Sequence, residues 1–498
     1  MSKNVVIIGA GFAGLSAASQ LAQKGYKVSI LEKNDSIGGR ARQFEASGFI
    51  FDMGPSWYWM PDVFEAYFAR FGKKVSDYYD LVRLSPSYQI VFAQDESIAI
   101  PANLEELFHL FEAHEKGSSE KLKQFLDEAA YKYEVGMKEF VYKPSISIRE
   151  FMDFRVFKSL FGLQMLTSME SYVNKYFKHE HLRQLLKFPV LFLGATPQET
   201  PAMYSLMNYA DLALGTWYPM GGMFKIIEAM GKLAEELGVK IYTNHAVTQV
   251  EIQDNSIKKV ISTQGIFEAD IVIGAADYRH LDQEILGKAY SNYSAEYWDK
   301  RTLAPSSLLY YVGVNKKLPK LLHHNLFFDE DFNVHAQEIY KNPQWPNKPL
   351  FYACVPSKTD NTVAPENHEN LFLLIPVAPD LQDTEKERDF YFEFILQKLE
   401  AYTGENIRAH IIYKRSFAHQ DFIKDYNAFK GNAYGLANTL KQTAFLKPKL
   451  KHKKIQNLYF AGQLTTPGPG MPPAIISGLV AADEIMKKFP IQAPNYAH

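Results

Sequence analysis

Cysteine is nearly absent: Cys354 is the only one in 498 residues. No disulfide can form within the chain, and a reducing, cytoplasmic setting is the expectation. In the run Leu350–Val355, Cys354 itself reads as a small buried residue. Charge of one sign is lacking too. Fifty-four Lys and Arg nearly balance 56 Asp and Glu, for a net charge of -2, so there is no electrostatic case for a nucleic-acid partner. No uncharged apolar run reaches the ~18 residues a membrane-spanning helix needs. Gly9, Gly11 and Gly14 interrupt the one apolar stretch near the start, so it does not read as a secretory signal. His323 and His324 have no further ligand at a recognised spacing, and no metal site is expected.

Aromatic residues, by contrast, are plentiful, with 35 Phe and 30 Tyr. They suit large cores or an apolar substrate cavity. A chain of this length exceeds one compact core, so two or three domains are expected. The start reads as strand Asn4–Ile8, helix Leu15–Lys24 ended by Gly25, and strand Lys27–Glu32. Helical character follows from Asn103 to Lys187, with a charged helix Leu104–Phe125 and an apolar-periodic one, Phe157–Tyr176. Further on come a helix Met223–Leu237, strands up to Gly274, strand-rich sequence from Ser306 to Val377 and a helix Thr384–Thr403. The short strand Leu458–Ala461 and a helix Ala474–Lys488 close the pattern.

The strongest motif is Gly9-Ala10-Gly11-Phe12-Ala13-Gly14, between a strand and a helix. Gly9 permits the tight turn, Gly11 lets the backbone approach a pyrophosphate, and Gly14 lets the helix pack close to the strand. The helix N-terminus offers free N–H groups and the positive end of its dipole. Glu32, with Lys33 beside it, ends the second strand about 20 residues on, where an acid accepts a ribose hydroxyl. Together these predict dinucleotide binding. A second glycine turn, Gly38-Gly39-Arg40, follows at once, and Arg40 suits a pyrophosphate or a flavin carbonyl. A third segment, Asp52-Met53-Gly54-Pro55-Ser56, comes next.

With these motifs, and with Tyr218–Met223, Asn244–Val247 and Asn457–Gln463 running into Thr465-x-Pro467-Gly468-x-Gly470-x-Pro472, the sequence resembles the flavin amine oxidase and carotenoid desaturase superfamily over its whole length. Within it the likeness is nearest to bacterial and fungal phytoene desaturases of the flavobacterial, lycopene-forming kind. That likeness rests on Phe51–Tyr58, Gly431–Gly435 with Gln442–Ala444, and Thr465–Gly470. Gln463 stands where amine oxidases usually carry an acid, a departure that argues against that activity.

The resemblance implies an α/β fold: a discontinuous, Rossmann-like FAD-binding domain, an α+β substrate domain and a helical lid. The expected boundaries are 1–70, 215–290 and 440–498 for the first, 71–90 and 291–439 for the second, and 91–214 for the lid. It also implies non-covalent FAD held by Gly9, Gly11, Phe12, Ala13, Gly14, Glu32, Lys33, Gly39, Arg40, Gly54, Pro55 and Ser56. Val247, Gly462, Gln463, Gly470, Met471 and Pro472 complete that set, with Val247 at the adenine. The implied reaction is desaturation of a linear carotenoid, phytoene to lycopene, by hydride transfer to flavin. Desaturation of a hydroxycarotenoid or diapocarotenoid, carotenoid isomerisation, amine oxidation and a non-enzymatic prenyl-protein escort remain as alternatives. The electron acceptor, oxygen or quinone, stays open.

No side chain stands out as the proton acceptor; Glu199, Tyr204, Asp211 and Tyr218 are the polar groups near the substrate segments. A hydrocarbon substrate implies a peripheral membrane association. Phe157, Leu160, Phe161, Leu163, Met165 and Leu166 are the expected apolar face, and Lys447, Lys449, Lys451, Lys453 and Lys454 a basic run able to meet anionic lipid.

Overall fold

The computed structural model describes residues 2–145, 164–165, 167–194, 196–439 and 442–491. Its organising element is a five-stranded parallel sheet ordered Leu458–Phe460, Ile271–Gly274, Asn4–Ile8, Lys27–Leu31, Lys240–Tyr242. Strand side chains alternate faces, and here both faces are buried. Val5 and Ile7 join one core, while Val6 and Ile8 join another. The first face is covered by helices Phe12–Gln23, Phe224–Glu236 and Met471–Lys488. Against the second lies an antiparallel meander, Val247–Gln253, Ser256–Ser262 and Gly265–Glu268, which contributes Ile257 and Val260.

Helices Phe12–Gln23 and Met471–Lys488 touch through glycine. A Cβ on Gly478 would stand 2.3 Å from the Ala13 carbonyl oxygen. Ser16 donates to the Ile475 carbonyl at 2.7 Å, and Ser477 accepts from the Gly462 N–H at 2.9 Å. A helix from each half of the sequence and the loop at Gly462 are thus locked together.

A seven-stranded mixed sheet, Ile411–Phe417, Ser306–Val314, Glu369–Val377, Phe351–Cys354, His324–Phe327, Tyr88–Ala93 and Glu96–Ile100, forms the second body. Helix Glu385–Thr403 packs Phe392, Ile395 and Leu399 on one face, against Leu308, Tyr310 and Val312. Leu309, Phe372 and Leu374 point from the other face into the core shared with the first sheet. The hairpin Tyr88–Ile100 belongs to this sheet, so the boundary expected at residue 90 falls inside a strand.

Two helical expectations change. Leu104–Phe125 is not one helix: Leu104–His114 ends, Gly117 adopts φ +77°, and Ser118–Val135 begins. Only glycine takes that conformation without strain, and the following helix continues into a wider turn, Gly136–Val141. Of the expected helix Phe157–Tyr176, residues 157–163 and 166 lie outside the described residues; Met169–Tyr176 is helical, with Ser168 accepting from the Ser171 N–H at its start. The last helix opens at Met471, with Pro472 and Pro473 in its first turn, where proline lacks only a hydrogen bond the helix would not make.

Candidate functional site: a dinucleotide cradle opening into an apolar chamber

One cavity of about 800 Å³ runs between the two sheets. Every residue expected to hold the cofactor lines it except Gly14. Gly14 lies beneath: a Cβ there would stand 2.0 Å from the Gly9 carbonyl oxygen, so it sets the approach of helix to turn. Gly9 has φ +106° and packs on the Ala275 backbone. A Cβ on Gly11 would meet nothing within 4 Å, leaving room for a ligand against the backbone. Helix Phe12–Gln23 carries no side-chain cap, so its first N–H groups are free to meet an anion.

Glu32 is buried at the wall. Its carboxylate accepts from the Ala10 N–H at 2.8 Å and from the Asn34 N–H at 2.9 Å. The second glycine turn lies alongside the first, with the Cβ position of Gly39 only 3.5 Å from Gly11 Cα. Arg40 then turns into the cavity between Asp277 and the Tyr426 ring. Burial lowers its pKa, partly opposed by Asp277 and Tyr426, and the guanidinium stays charged. Among the described residues its Nε is buried without a partner, and its one acceptor, the Asn432 carbonyl, is a long 3.4 Å away. A buried cation with an unmet donor fits a phosphate or a flavin carbonyl oxygen.

The third wall is the C-terminal loop. Gly462, Gly468 and Gly470 have φ of +115°, +139° and +113°, and Gly470 leads directly into the last helix. That helix points its N-terminus at the same cavity, through Met471 and Pro472. Gln463 donates to Asn432 at 3.3 Å. Val247 closes the far end beside His245.

Beyond the glycine loops the lining becomes apolar: Trp57, Met137, Phe140, Met203, Leu206 and Leu374 among others. Among the described residues the acids along the cavity are Glu32, Asp277 and Asp425, all at the loop end. The apolar part carries hydroxyls and amides instead, including Tyr204, Tyr434, Asn438 and Thr443. Of the polar groups considered as proton acceptors, only Tyr204 lines the cavity, its phenol pushed up to about 12 by burial. Glu199 pairs with Lys341 on the outside. Asp211 is enclosed behind the wall, accepting from Tyr88 at 2.7 Å, its carboxyl raised to about 7 by burial. Tyr218 donates to Asp360.

Several lining residues were missed. Gly274-Ala275-Ala276-Asp277 follows a buried strand with small residues, the same signal as the first turn, and could have been read. Asp425, Tyr426 and Asn427 come from a helix end with no such mark. Cys354 lies opposite His324 across a strand pair, and with His323 the three place potential ligand atoms within 4.8 Å of one another. Each imidazole already has a partner at Nδ1, Thr359 for His323 and Tyr352 for His324, and His324 stacks on Trp57. Burial pushes the Cys354 thiol up to about 12, so the thiolate a metal binds is disfavoured.

The profile of the flavin containing amine oxidoreductases matches residues 12–486, and the chain belongs to that family. Its cofactor is FAD, and the two glycine loops, Arg40 and the C-terminal helix are the parts that fit it. Among its relatives is a carotenoid 3,4-desaturase of Haloarcula japonica, 41% identical over 97% of this chain and 98% of that one. A 4,4'-diapophytoene desaturase (4,4'-diaponeurosporene-forming) of Staphylococcus haemolyticus is 32% identical over 97% and 98%. In structure the chain is similar to an oxidoreductase from Methanosarcina mazei, with TM-score 0.65 and 16% identity, covering 96% of this chain and 100% of that one.

Proposed function

We propose that the protein desaturates a linear carotenoid, converting phytoene to lycopene in successive steps. The observation that carries this reading is the continuous cavity: a dinucleotide cradle opens into an apolar chamber that offers no carboxylate among the described residues. A protonated amine buried there would need a counter-charge. A hydrocarbon needs only shape and dryness. The desaturase relatives support the same substrate class.

Bound FAD supplies the acceptor for a hydride drawn from the hydrocarbon. The protein's own residues hold and orient. The Gly9–Gly14 turn and Arg40 would hold the pyrophosphate, Glu32 the ribose, and Val247 the adenine. The N-terminus of helix Met471–Lys488 would turn its positive end toward the ring system, an effect of roughly 0.3–2 kcal/mol on negative charge there. The apolar chamber aligns the chain and keeps water out.

A second reading is desaturation at the 3,4 bond of an already extended carotenoid, favoured by the 41% identity to the Haloarcula japonica enzyme. Expression in phytoene-accumulating cells, followed by pigment chromatography, separates the two. Lycopene supports the first reading. Unchanged phytoene, with conversion of supplied lycopene or a hydroxylated derivative, supports the second; conversion of none of them sinks both.

Supply from a bilayer follows from the insolubility of the substrate. Among the described residues no helix is long and apolar enough to cross a membrane. Peripheral docking is supported by Leu446, which lines the cavity yet is 43% exposed, beside Lys449. Of the expected apolar face, Met165 lines the cavity, whereas Phe157, Leu160, Phe161, Leu163 and Leu166 lie outside the described residues. The basic run is weaker than the sequence suggested, because Lys447 is buried and Lys453 and Lys454 bond the Asn292 and Ala289 carbonyls.

A further inference from the structure

Lys447 is 2% exposed and sits behind the C-terminal loop of the cofactor cradle. Its amine donates to Asn438 Oδ1 at 2.7 Å, and no carboxylate among the described residues pairs with it. The amine presses on that loop: a Cβ on Gly468 would stand 2.6 Å from Nζ and 3.2 Å from Asn438 Oδ1. Asn438 itself lines the cavity, as do Thr466, Pro467, Pro469 and Gly470 on either side of Gly468. A buried amine without a counter-ion is costly to charge. Its position one residue behind the ring-facing loop gives that cost a use.

We propose that Lys447 is the redox-linked proton site of this loop: its amine is neutral beside oxidised FAD and takes up one proton when the cofactor gains two electrons. Charge balance is the reason. Two-electron reduction of the flavin with one proton leaves one negative charge on the ring system. An ammonium formed nearby from solvent offsets it, so two protons enter per electron pair and nothing else is oxidised or reduced. Burial alone lowers the amine, to about 7, so it is available to switch.

The surrounding groups do not compete. Lys449 is tied to the Phe445 carbonyl at 2.8 Å and the Ser145 carbonyl at 3.3 Å, and its N–H donates to the Tyr293 hydroxyl. Tyr434, on the segment that carries Asn438, is pushed up to about 12, and burial raises Tyr293 as well. Lys143, next to the Pro144 that Thr466 contacts, is a further cation and not an acid. Lys447 therefore titrates as a positioning residue that acts on the flavin through field and loop contact.

The test needs no carotenoid, so its failure leaves the substrate reading untouched. The midpoint potential of FAD-loaded protein is measured against redox dyes, with dithionite as reductant, on both sides of pH 7. Wild type should show two protons per electron pair above about pH 7 and one below it, where the amine is already charged. Lys447→Met should show one throughout, with a potential below wild type at acid pH. Lys447→Arg, always charged, should also show one throughout but keep the higher potential. A one-proton dependence in wild type over the whole range overturns the proposal, and this result needs no variant. A two-proton region persisting in either folded variant overturns it equally.

Discussion

Removing the Glu32 carboxylate should do two separable things. It accepts the buried Ala10 N–H at 2.8 Å and the Asn34 N–H at 2.9 Å, so Glu32→Ala leaves the first of these orphaned inside the phosphate turn. An unmet buried donor costs about 1–3 kcal/mol, and that loss should appear in the cofactor-free protein as a lower melting temperature. The carboxylate is also the acceptor expected for the adenosine ribose, a charge-assisted bond of ~1.5–3 kcal/mol, or roughly 10- to 150-fold in FAD affinity. Glu32→Gln keeps one acceptor and should fall between wild type and Glu32→Ala on both readouts. Titrating apoprotein with FAD, by quenching of flavin fluorescence, and melting the same samples separates the two effects. Wild-type FAD affinity in folded Glu32→Ala would refute the ribose assignment. Lost affinity with an unchanged apoprotein melt would instead show that the Ala10 contact contributes nothing to the turn.

Gly14→Ala should abolish FAD retention, since its Cβ would stand 2.0 Å from the Gly9 oxygen; a yellow variant would contradict the packing. Acid precipitation should release all the flavin, and colour left on the pellet would mean a covalent bond. Because Lys447 is lowered to about 7 in the folded state and sits near 10.4 when unfolded, the unfolded chain binds more protons between these values. Apoprotein stability should therefore gain from this group as pH rises above about 7, and Lys447→Met should remove that gain in pH-dependent denaturant melts. Leu446→Ser should reduce liposome co-sedimentation and turnover together while FAD stays bound. Full turnover of wild type in lipid-free, detergent-free buffer would defeat the docking idea.

The cradle was legible because each of its loops is a local event. Three glycine turns and one acid carry their chemistry in a few consecutive residues, and Gly14 could be assigned a packing role without knowing its neighbours. What pairs across the chain was not legible. In the hairpin Tyr88–Ile100 the first strand is buried from Tyr88 to Phe92 and the second lies at the sheet edge, and nothing local says that the pair joins a sheet built mainly after residue 300. Asn427 and Asp425 reach the cavity only because their helix ends beside Lys33, which donates to Asn427 at 3.2 Å. Lys447 was read with its basic neighbours as a run able to meet anionic lipid; charge composition cannot show that one of them turns inward. Gly117 was passed over inside a long charged stretch because a single glycine is tolerated in a helix, at a cost of about 1 kcal/mol, as often as it ends one.

The lock between the helix after the first strand and the last helix also governs when this protein can come into being on the ribosome. The first strand finds its neighbour Ile271–Gly274 only after some 260 more residues have emerged, roughly 13–50 s at ordinary elongation rates. The outermost strand, Leu458–Phe460, and the helix that closes the flavin loop come later still. Through that interval the Val5–Ile8 edge on one side is unpaired and the phosphate turn has no floor. The nascent chain therefore depends on shielding of a sheet edge, first that one and then Ile271–Gly274, until Leu458–Phe460 emerges, and FAD can stabilise the fold only once the helix Met471–Lys488 has closed its loop. Growth in flavin-starved cells should accordingly change how much finished protein survives, and leave its rate of synthesis as it was.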